Sequence, residues 1–323
     1  MQNTLPQASG LARAVTEAEK EAFERDGVVL LKGIYPSEWV DYMRSQLDDV
    51  FSMAQERAAS THYVAQGDSE RGSHSDMVQV AIDLRSRNAS AQLAMEGGQD
   101  VAATGRSIVE TDAAHWHRGL LQHHTHGPMP ELIHQVTSSA QVNLYSDQLF
   151  LKEAGSRVKT PFHQDKPYFL VDGGDVAVAW LPVDTVTADN GAMGYVIGSH
   201  KWGKLFKPSD FTTENGTFPE VEGIDLSGLD VLTQGMLDEA DIQYFDVEPG
   251  DVIVHHWATL HGSKGNVSAH SKRRAASIRY ACEGCHFFMR PSSPEPFRRT
   301  VSLVDGDPLE KAGRFPIVWP EQA

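Results

Sequence analysis

From about residue 140 the chain breaks into short β-prone runs separated by Gly, Pro, Asp and Asn. No other feature of the sequence constrains the fold as much. The runs are QVNLYSDQLFLK (141–152), DVAVAWLPVD (175–184), AMGYVIG (192–198), GDVIVHHWATLH (250–261) and RAASIRYA (274–281). Many short strands with turn signals between them predict a sandwich or barrel, not a parallel α/β sheet. Ahead of them the pattern is helical. Thr16 and Glu19 have capping-box spacing, EKEAFERD follows, and Gly27 is placed to end the helix. GVVLLKGI (27–34) reads as a strand. After Pro36, the residues Trp39, Val40, Met43, Leu47, Val50 and Phe51 recur on one helical face. Residues 55–135 are polar and histidine-rich, with no clear period. The acidic stretch 204–246 is too long for a hairpin turn and predicts an inserted loop or lid. The expected organisation is one domain over 1–323, mainly β with supporting helices. Its helical support covers about 15–135, a double-sheet core about 140–290, and a tail 291–323.

Composition narrows the partners. The 323 residues include 28 basic and 44 acidic side chains, a formal net charge of −16. Such a chain is a poor binder of nucleic acid or anionic membrane by charge neutralisation. No apolar run approaches the ~20 residues that span a bilayer, and no secretory signal pattern is visible. A soluble, cytoplasmic protein acting on a small molecule is expected. The two cysteines, Cys282 and Cys285, fall in CEGCH with His286. That string fits a haem-attachment pattern, half of a zinc site, or two thiols at a strand end.

The chemistry centres on TPFHQDKPYF (160–169), where His163 and Asp165 stand two positions apart. On a strand that spacing puts both side chains on one face; the plain alternative is a solvated turn. The chain has fifteen histidines, so a third ligand must be chosen by context. His115, His117, His123, His124, His126 and His134 read as a solvated surface or lid. His255 and His256 are adjacent on a strand and face opposite ways. His261 ends its β run just before GSKGN, where a turn would hold the ring at the mouth of a sheet. Two imidazoles and one carboxylate match the facial triad of non-haem Fe(II) oxygenases, which leaves open positions for a bidentate 2-oxo acid and O2. Arg273 opens the next β run, where a guanidinium could clamp the distal carboxylate of such a co-substrate. A surface arginine in the basic turn SKRR is the alternative.

Taken in order, these blocks resemble the phytanoyl-CoA dioxygenase family of Fe(II)/2-oxoglutarate oxygenases. EAFERDGVVLLKGIYPSEWV resembles the family's N-terminal helix–strand–helix, and FHQDKPYF its metal-binding strand. VAVAWLPVDTVTADNGAMGYVIGSHKWG resembles its central strands, and GDVIVHHWATLHGSKGNVS with RRAASIRY its distal-histidine strand and arginine. The likeness covers about 15–290, apart from 55–135 and 204–246. It implies a double-stranded β-helix (jelly-roll) core with His163, Asp165 and His261 as iron ligands and Arg273 as the 2-oxoglutarate clamp. It further implies co-substrate contacts from Ser263, Trp180, Gln148, Lys152 and Tyr168, several of which would otherwise be ordinary strand residues. The implied activity is hydroxylation, or a related oxidation, of a small metabolite, with O2 and 2-oxoglutarate consumed and succinate and CO2 released. Asp165 stands where related halogenases carry a small residue, so halogenation is disfavoured. Ile197 and Phe162 replace the family's more usual proline and tryptophan. The substrate is left open; HWHRGLLQHHTHG (115–127), the 204–246 insertion and the lysines 201, 204 and 207 are candidates for its contacts. The competing readings are a jelly-roll metalloprotein without O2 chemistry and a haem-bearing electron carrier built on CEGCH.

Overall fold

Thr16 caps the first helix through a reciprocal capping box with Glu19, and Gly27 ends it at φ 75°. The computed structural model describes residues 4–7, 10–64, 107–156, 158–208, 224–293 and 302–320, with the backbone alone over 54–64. That helix, α1 (Glu17–Asp26), is followed by β1 (Val28–Leu31) and α2 (Ser37–Val64). The predicted face of α2 is buried from Trp39 to Phe51. Of the unassigned region 55–135, residues 65–106 lie outside the described ones. The rest forms β2 (Ser107–Thr111), α3 (Arg118–His126) and α4 (Met129–Thr137).

The β core contains β3 (Val142–Lys152), β4 (Thr160–His163), β5 (Val171–Asp172), β6 (Val176–Pro182) and β7 (Met193–Val196). It continues with β8 (Ile242–Tyr244), β9 (Val252–His256), β10 (His261–Ser263), β11 (Arg273–Cys282), β12 (His286–Phe287) and β13 (Ile317–Trp319). A seven-stranded sheet runs β1-β9-β6-β11-β3-β13, with β2 also on β3; a four-stranded sheet runs β4-β10-β7-β8. The pairings in both sheets are antiparallel. This is the double-stranded β-helix. One face of the main sheet buries Leu31, Val252, Val254, Leu181, Ala276, Ile278 and Leu149 with the apolar faces of the helices. The other carries Trp180, Ile253 and Ala275, which pack with Met193 and Tyr195 of the small sheet. The strand period of two therefore gives the main sheet two distinct faces.

Three expectations are corrected. The run 250–261 is two strands in different sheets. Its chain leaves the main sheet at His256, turns with Thr259 N–H donating to His256 O at 2.8 Å, and re-enters at His261 in the small sheet. The expected insertion 204–246 ends in β8, which extends the small sheet, and its half-buried Leu232, Met236 and Ile242 pack on Val196, Phe206 and Leu260. Its residues 209–223 lie outside the described ones. The tail is not merely a tail, because β13 pairs with β3 and Phe315 and Leu309 are buried in a cluster with Tyr145 and Trp257. Among the described residues no helix is long and apolar enough to cross a membrane.

Candidate metal and co-substrate site

His163 is the last residue of β4 and His261 the first of β10, and they are cross-strand partners with ring centroids 4.4 Å apart. Asp165 is not on the strand, so the same-face argument for the His–x–Asp pair is corrected. It lies in the following turn at φ −75°, ψ −33°, ahead of a short 3-10 helix. Its backbone N–H and that of Lys166 both donate to Trp257 O, at 2.9 and 3.0 Å. Trp257 belongs to the loop that carries the chain between sheets to His261, so one loop aligns both parts of the triad. Gln164 points away and fastens the turn, donating to Ala258 O at 2.8 Å and accepting from Phe206 N at 3.1 Å.

Ligand atoms of His163, Asp165 and His261 all lie within 4.8 Å of one another, and all three residues are buried. Each histidine Nδ1–H donates to a backbone carbonyl, His163 to Pro161 O at 2.8 Å and His261 to Thr259 O at 2.9 Å. That fixes the tautomer and makes Nε2 the metal-ligating nitrogen of each ring. Burial, then the neighbouring His261, holds the His163 imidazole down at about 3, so the ring is neutral. Burial alone would raise the Asp165 acid. His255, His261, Arg279 and His163 together outweigh it and hold the carboxyl below its usual range. Two imidazoles and one carboxylate are a donor set suited to a divalent first-row metal with open positions.

On the same inner face, Arg273 is buried; among the described residues its Nε has no partner, and its Nη2 donates to Gly191 O at 3.1 Å. Its guanidinium lies over the Trp180 ring, 5.5 Å from the centroid. Lys152, its cross-strand partner, donates to Ser263 Oγ at 2.8 Å and to Lys264 O at 3.0 Å. Burial, then Arg273, holds the Lys152 ammonium well below its ordinary value. Neither side chain has a carboxylate within 4 Å among the described residues. A buried guanidinium without an anion beside it is a costly arrangement that a ligand carboxylate relieves. Arg274 faces the other way and pairs with Asp184 and Asp48 at 2.6 Å each.

The remaining nominated residues divide. Trp180, Ser263 and Lys152 gather at Arg273. Gln148 instead accepts from Arg279 Nη2 at 2.7 Å, and Tyr168 stands edge-on to His163, 5.9 Å away and half-buried. Sequence reading missed Tyr195, His255 and Arg279. Tyr195 is the other cross-strand partner of His261, and its buried hydroxyl has no partner among the described residues. His255 faces inward, its Nε2 3.7 Å from Asp165 Oδ2 and its ring 4.4 Å from that of His261. Burial, then His261, holds it neutral at about 4.

The histidine-rich segment is corrected in part: His115 and His126 are exposed, as expected. His117, His123 and His124 are buried in the helical layer, not part of a solvated lid. His117 caps α3 by accepting from Leu120 N–H, and its Nε2 meets Asp49 at 3.1 Å. Cys282 ends β11, and Cys285 donates to Asp175 O at 3.3 Å. Burial pushes the Cys285 thiol up to about 12 and raises that of Cys282, so both are packed as protonated thiols. Lys201, Lys204 and Lys207 are exposed.

A jelly roll with two histidines and one carboxylate converging inside it defines a class, the double-stranded β-helix proteins with a facial-triad metal site. Residues 23–275 match the family model described as phytanoyl-CoA dioxygenase (PhyH), and the chain belongs to that family. It is similar to peroxisomal phytanoyl-CoA dioxygenase of Homo sapiens, with 28% identity over 183 residues that cover 54% of this chain and 50% of the human protein. It is also similar to the phytanoyl-CoA dioxygenase domain-containing protein 1 homolog of Caenorhabditis elegans, 19% identical over 273 residues, covering 78% and 86%. The chain thus spans about half the length of the human relative. Among solved structures it resembles the non-haem α-ketoglutarate-dependent carbocyclase SnoK from nogalamycin biosynthesis, with TM-score 0.62, 17% identity and coverage of 94% and 96%. The epimerase SnoN, solved with Fe3+, α-ketoglutarate and nogalamycin RO, gives TM-score 0.57 at 18% identity, covering 94% and 98%. At such identities the structural likeness speaks for the fold.

Proposed function

We propose that the whole chain, 1–323, is one Fe(II)- and 2-oxoglutarate-dependent dioxygenase domain that oxidises an unactivated C–H bond of a small-molecule metabolite. In the hydroxylation form, R–H, 2-oxoglutarate and O2 give R–OH, succinate and CO2. The observation that carries this reading is the buried guanidinium of Arg273, without an anion beside it among the described residues and with Lys152 as its neighbour, on the same inner face as a three-ligand metal site. A metalloprotein without a dicarboxylate co-substrate has no use for that guanidinium. His163, Asp165 and His261 would hold the iron. Arg273, Lys152 and Ser263 would seat the distal carboxylate of 2-oxoglutarate, with Trp180 fixing the guanidinium plane. The free hydroxyl of Tyr195 is a further donor for the co-substrate. Iron bound there supplies the redox chemistry that couples oxidative decarboxylation to C–H oxidation. The chain's own part is to keep the His163 imidazole neutral, hold Asp165 ionised and exclude water from the clamp.

Adding Fe(II) and 2-oxoglutarate without oxygen should give a weak visible charge-transfer band. Asp165→Ala or His261→Ala should abolish it, and Arg273→Gln should weaken 2-oxoglutarate binding about tenfold to a hundredfold. A band that survives both ligand substitutions overturns the triad. Substrate-stimulated succinate release across a metabolite panel would then identify what is oxidised.

A further inference from the structure

β11 carries three arginines. Arg274 is neutralised by two aspartates, and Arg273 suits the co-substrate. Arg279 is left without a task. It shares the inner face with Arg273, in register with Ser146 of β3 and Val178 of β6. Its side chain is 7% exposed. It donates to two neutral acceptors, Gln148 Oε1 at 2.7 Å and Ser146 Oγ at 3.4 Å. Its guanidinium rests 5.2 Å above the Phe169 ring, and its Nε is buried with no partner. No carboxylate lies within 4 Å of it among the described residues. Asp165 and Asp112 sense its charge but stay beyond ion-pair distance; Asp165 would be taken up as a metal ligand, and Asp112 pairs with Arg314 at 3.0 Å.

A guanidinium kept from water without a counter-ion is costly, and chains retain such an arrangement where a ligand completes it. Arg273 and Arg279 stand six residues apart on one strand face, roughly 20 Å at the ordinary rise. That separation exceeds the length of 2-oxoglutarate, so a co-substrate held at Arg273 does not also neutralise Arg279. Around Arg279 the described wall is partly open: Gln148, its cross-strand neighbour Thr111, and Tyr168 beside His163 are half-buried. The free Nε and the adjoining Nη form an edge that matches the two oxygens of a carboxylate.

We propose that Arg279 is the anion subsite of the substrate pocket and that the substrate is a small organic acid, its carboxylate seated on Arg279 and its oxidisable carbon toward the metal ligands. This rests on the oxygenase reading above. Gln148, Ser146 and the Phe169 ring then serve to hold the fork in place.

The test uses the full chain loaded with Mn(II) and 2-oxoglutarate under nitrogen. Butyrate, hexanoate and phenylacetate are titrated against their amides by ligand-observed NMR and thermal shift. At least one acid should bind about tenfold or more tightly than its amide. The difference should vanish in Arg279→Met and persist in part in Arg279→Lys. Arg279→Met should also melt no lower than the wild type, because it removes an uncompensated buried charge, and its Fe(II)–2-oxoglutarate band should be unchanged. Equal binding of every acid and its amide, or unaltered acid binding in Arg279→Met, overturns the proposal. So does a lost charge-transfer band in Arg279→Met, which would assign Arg279 to the co-substrate, or a markedly lower melting temperature, which would make it structural. A wild-type protein without the band defeats the oxygenase reading separately, since acid binding to Arg279 is measured without that band.

Discussion

The main sheet has a buried histidine–aspartate cluster on each face, and the two are built on opposite plans. On the helical face a single file of hydrogen bonds runs from Tyr35 Oη to His123 Nε2 at 3.0 Å, from His123 Nδ1 to His124 Nδ1 at 3.0 Å, and from His124 Nε2 to Asp147 Oδ2 at 3.1 Å. Each link of the file joins one donor to one acceptor. Every ring nitrogen is used, and no shared point is left for an ion. On the inner face the ligand atoms of His163, Asp165 and His261 converge instead, and only the Nδ1 atoms are spent on the backbone. Residue type and burial are the same in both clusters; convergence separates a metal site from a structural network.

Substitutions should divide accordingly. The largest effect is expected for His261→Ala, which should abolish Mn(II) binding by calorimetry and leave the metal-free melting temperature nearly unchanged. Asp147→Ala should do the reverse. It strips the end of a file whose members are fully buried and should cost about 3–5 kcal/mol in chemical denaturation, with metal affinity retained. Saturating Mn(II) should raise the melting temperature of wild type and Asp147→Ala but not of His261→Ala. If Asp147→Ala lost the metal, the two clusters would be one coupled unit and the contrast would fail.

How much of this could be read from the sequence follows from the same contrast. His163, Asp165, His261 and Arg273 were legible because each sits beside a strand end or turn that the sequence marks. His255 and His256 were correctly set on opposite faces, yet which face lines the site depends on β9 pairing with β6 and β1, information that spacing does not carry. Tyr195 and Arg279 were missed for that reason; their roles come from register with His261 and Ser146. The break in HHWATLH was hidden because no Gly or Pro marks it. The sheet switch is made by backbone hydrogen bonds of His256, Trp257 and Thr259 with Gly27, Val176 and His256. His123 and His124 misled because a polar composition was taken for exposure, when a hydrogen-bonded file lets polar groups be buried.

Acid should separate the clusters next. Burial, then His124, holds the His123 imidazole well below its usual value. Below about pH 6.5 the unfolded chain takes up a proton that folded His123 refuses, so stability is present above that pH and falls as the pH drops. The slope reaches about 1.4 kcal/mol per pH unit for one such group. His123→Phe should be less stable at pH 7.5 but show a shallower acid dependence in denaturant titrations from pH 7.5 to 5. An unchanged slope would mean that His123 does not set the acid sensitivity of the helical face.

His255→Phe should give the smallest effect and the sharpest division within the inner cluster. Both its ring nitrogens are buried without a hydrogen-bond partner among the described residues, so the protein gains nothing in stability from keeping an imidazole there. What the ring faces is Asp165 Oδ2. Phenylalanine fills a similar space beside Tyr195 and His261 and removes two unsatisfied polar atoms, so the metal-free protein should melt at the same temperature or slightly higher. Metal affinity should fall about tenfold, the usual effect of losing a group that orients a ligand rather than binding the ion. A loss as complete as that of His261→Ala would make His255 a fourth ligand and close one of the positions a bidentate co-substrate needs. Unchanged affinity would mean that the Trp257 carbonyl, through the Asp165 backbone, orients the carboxylate unaided.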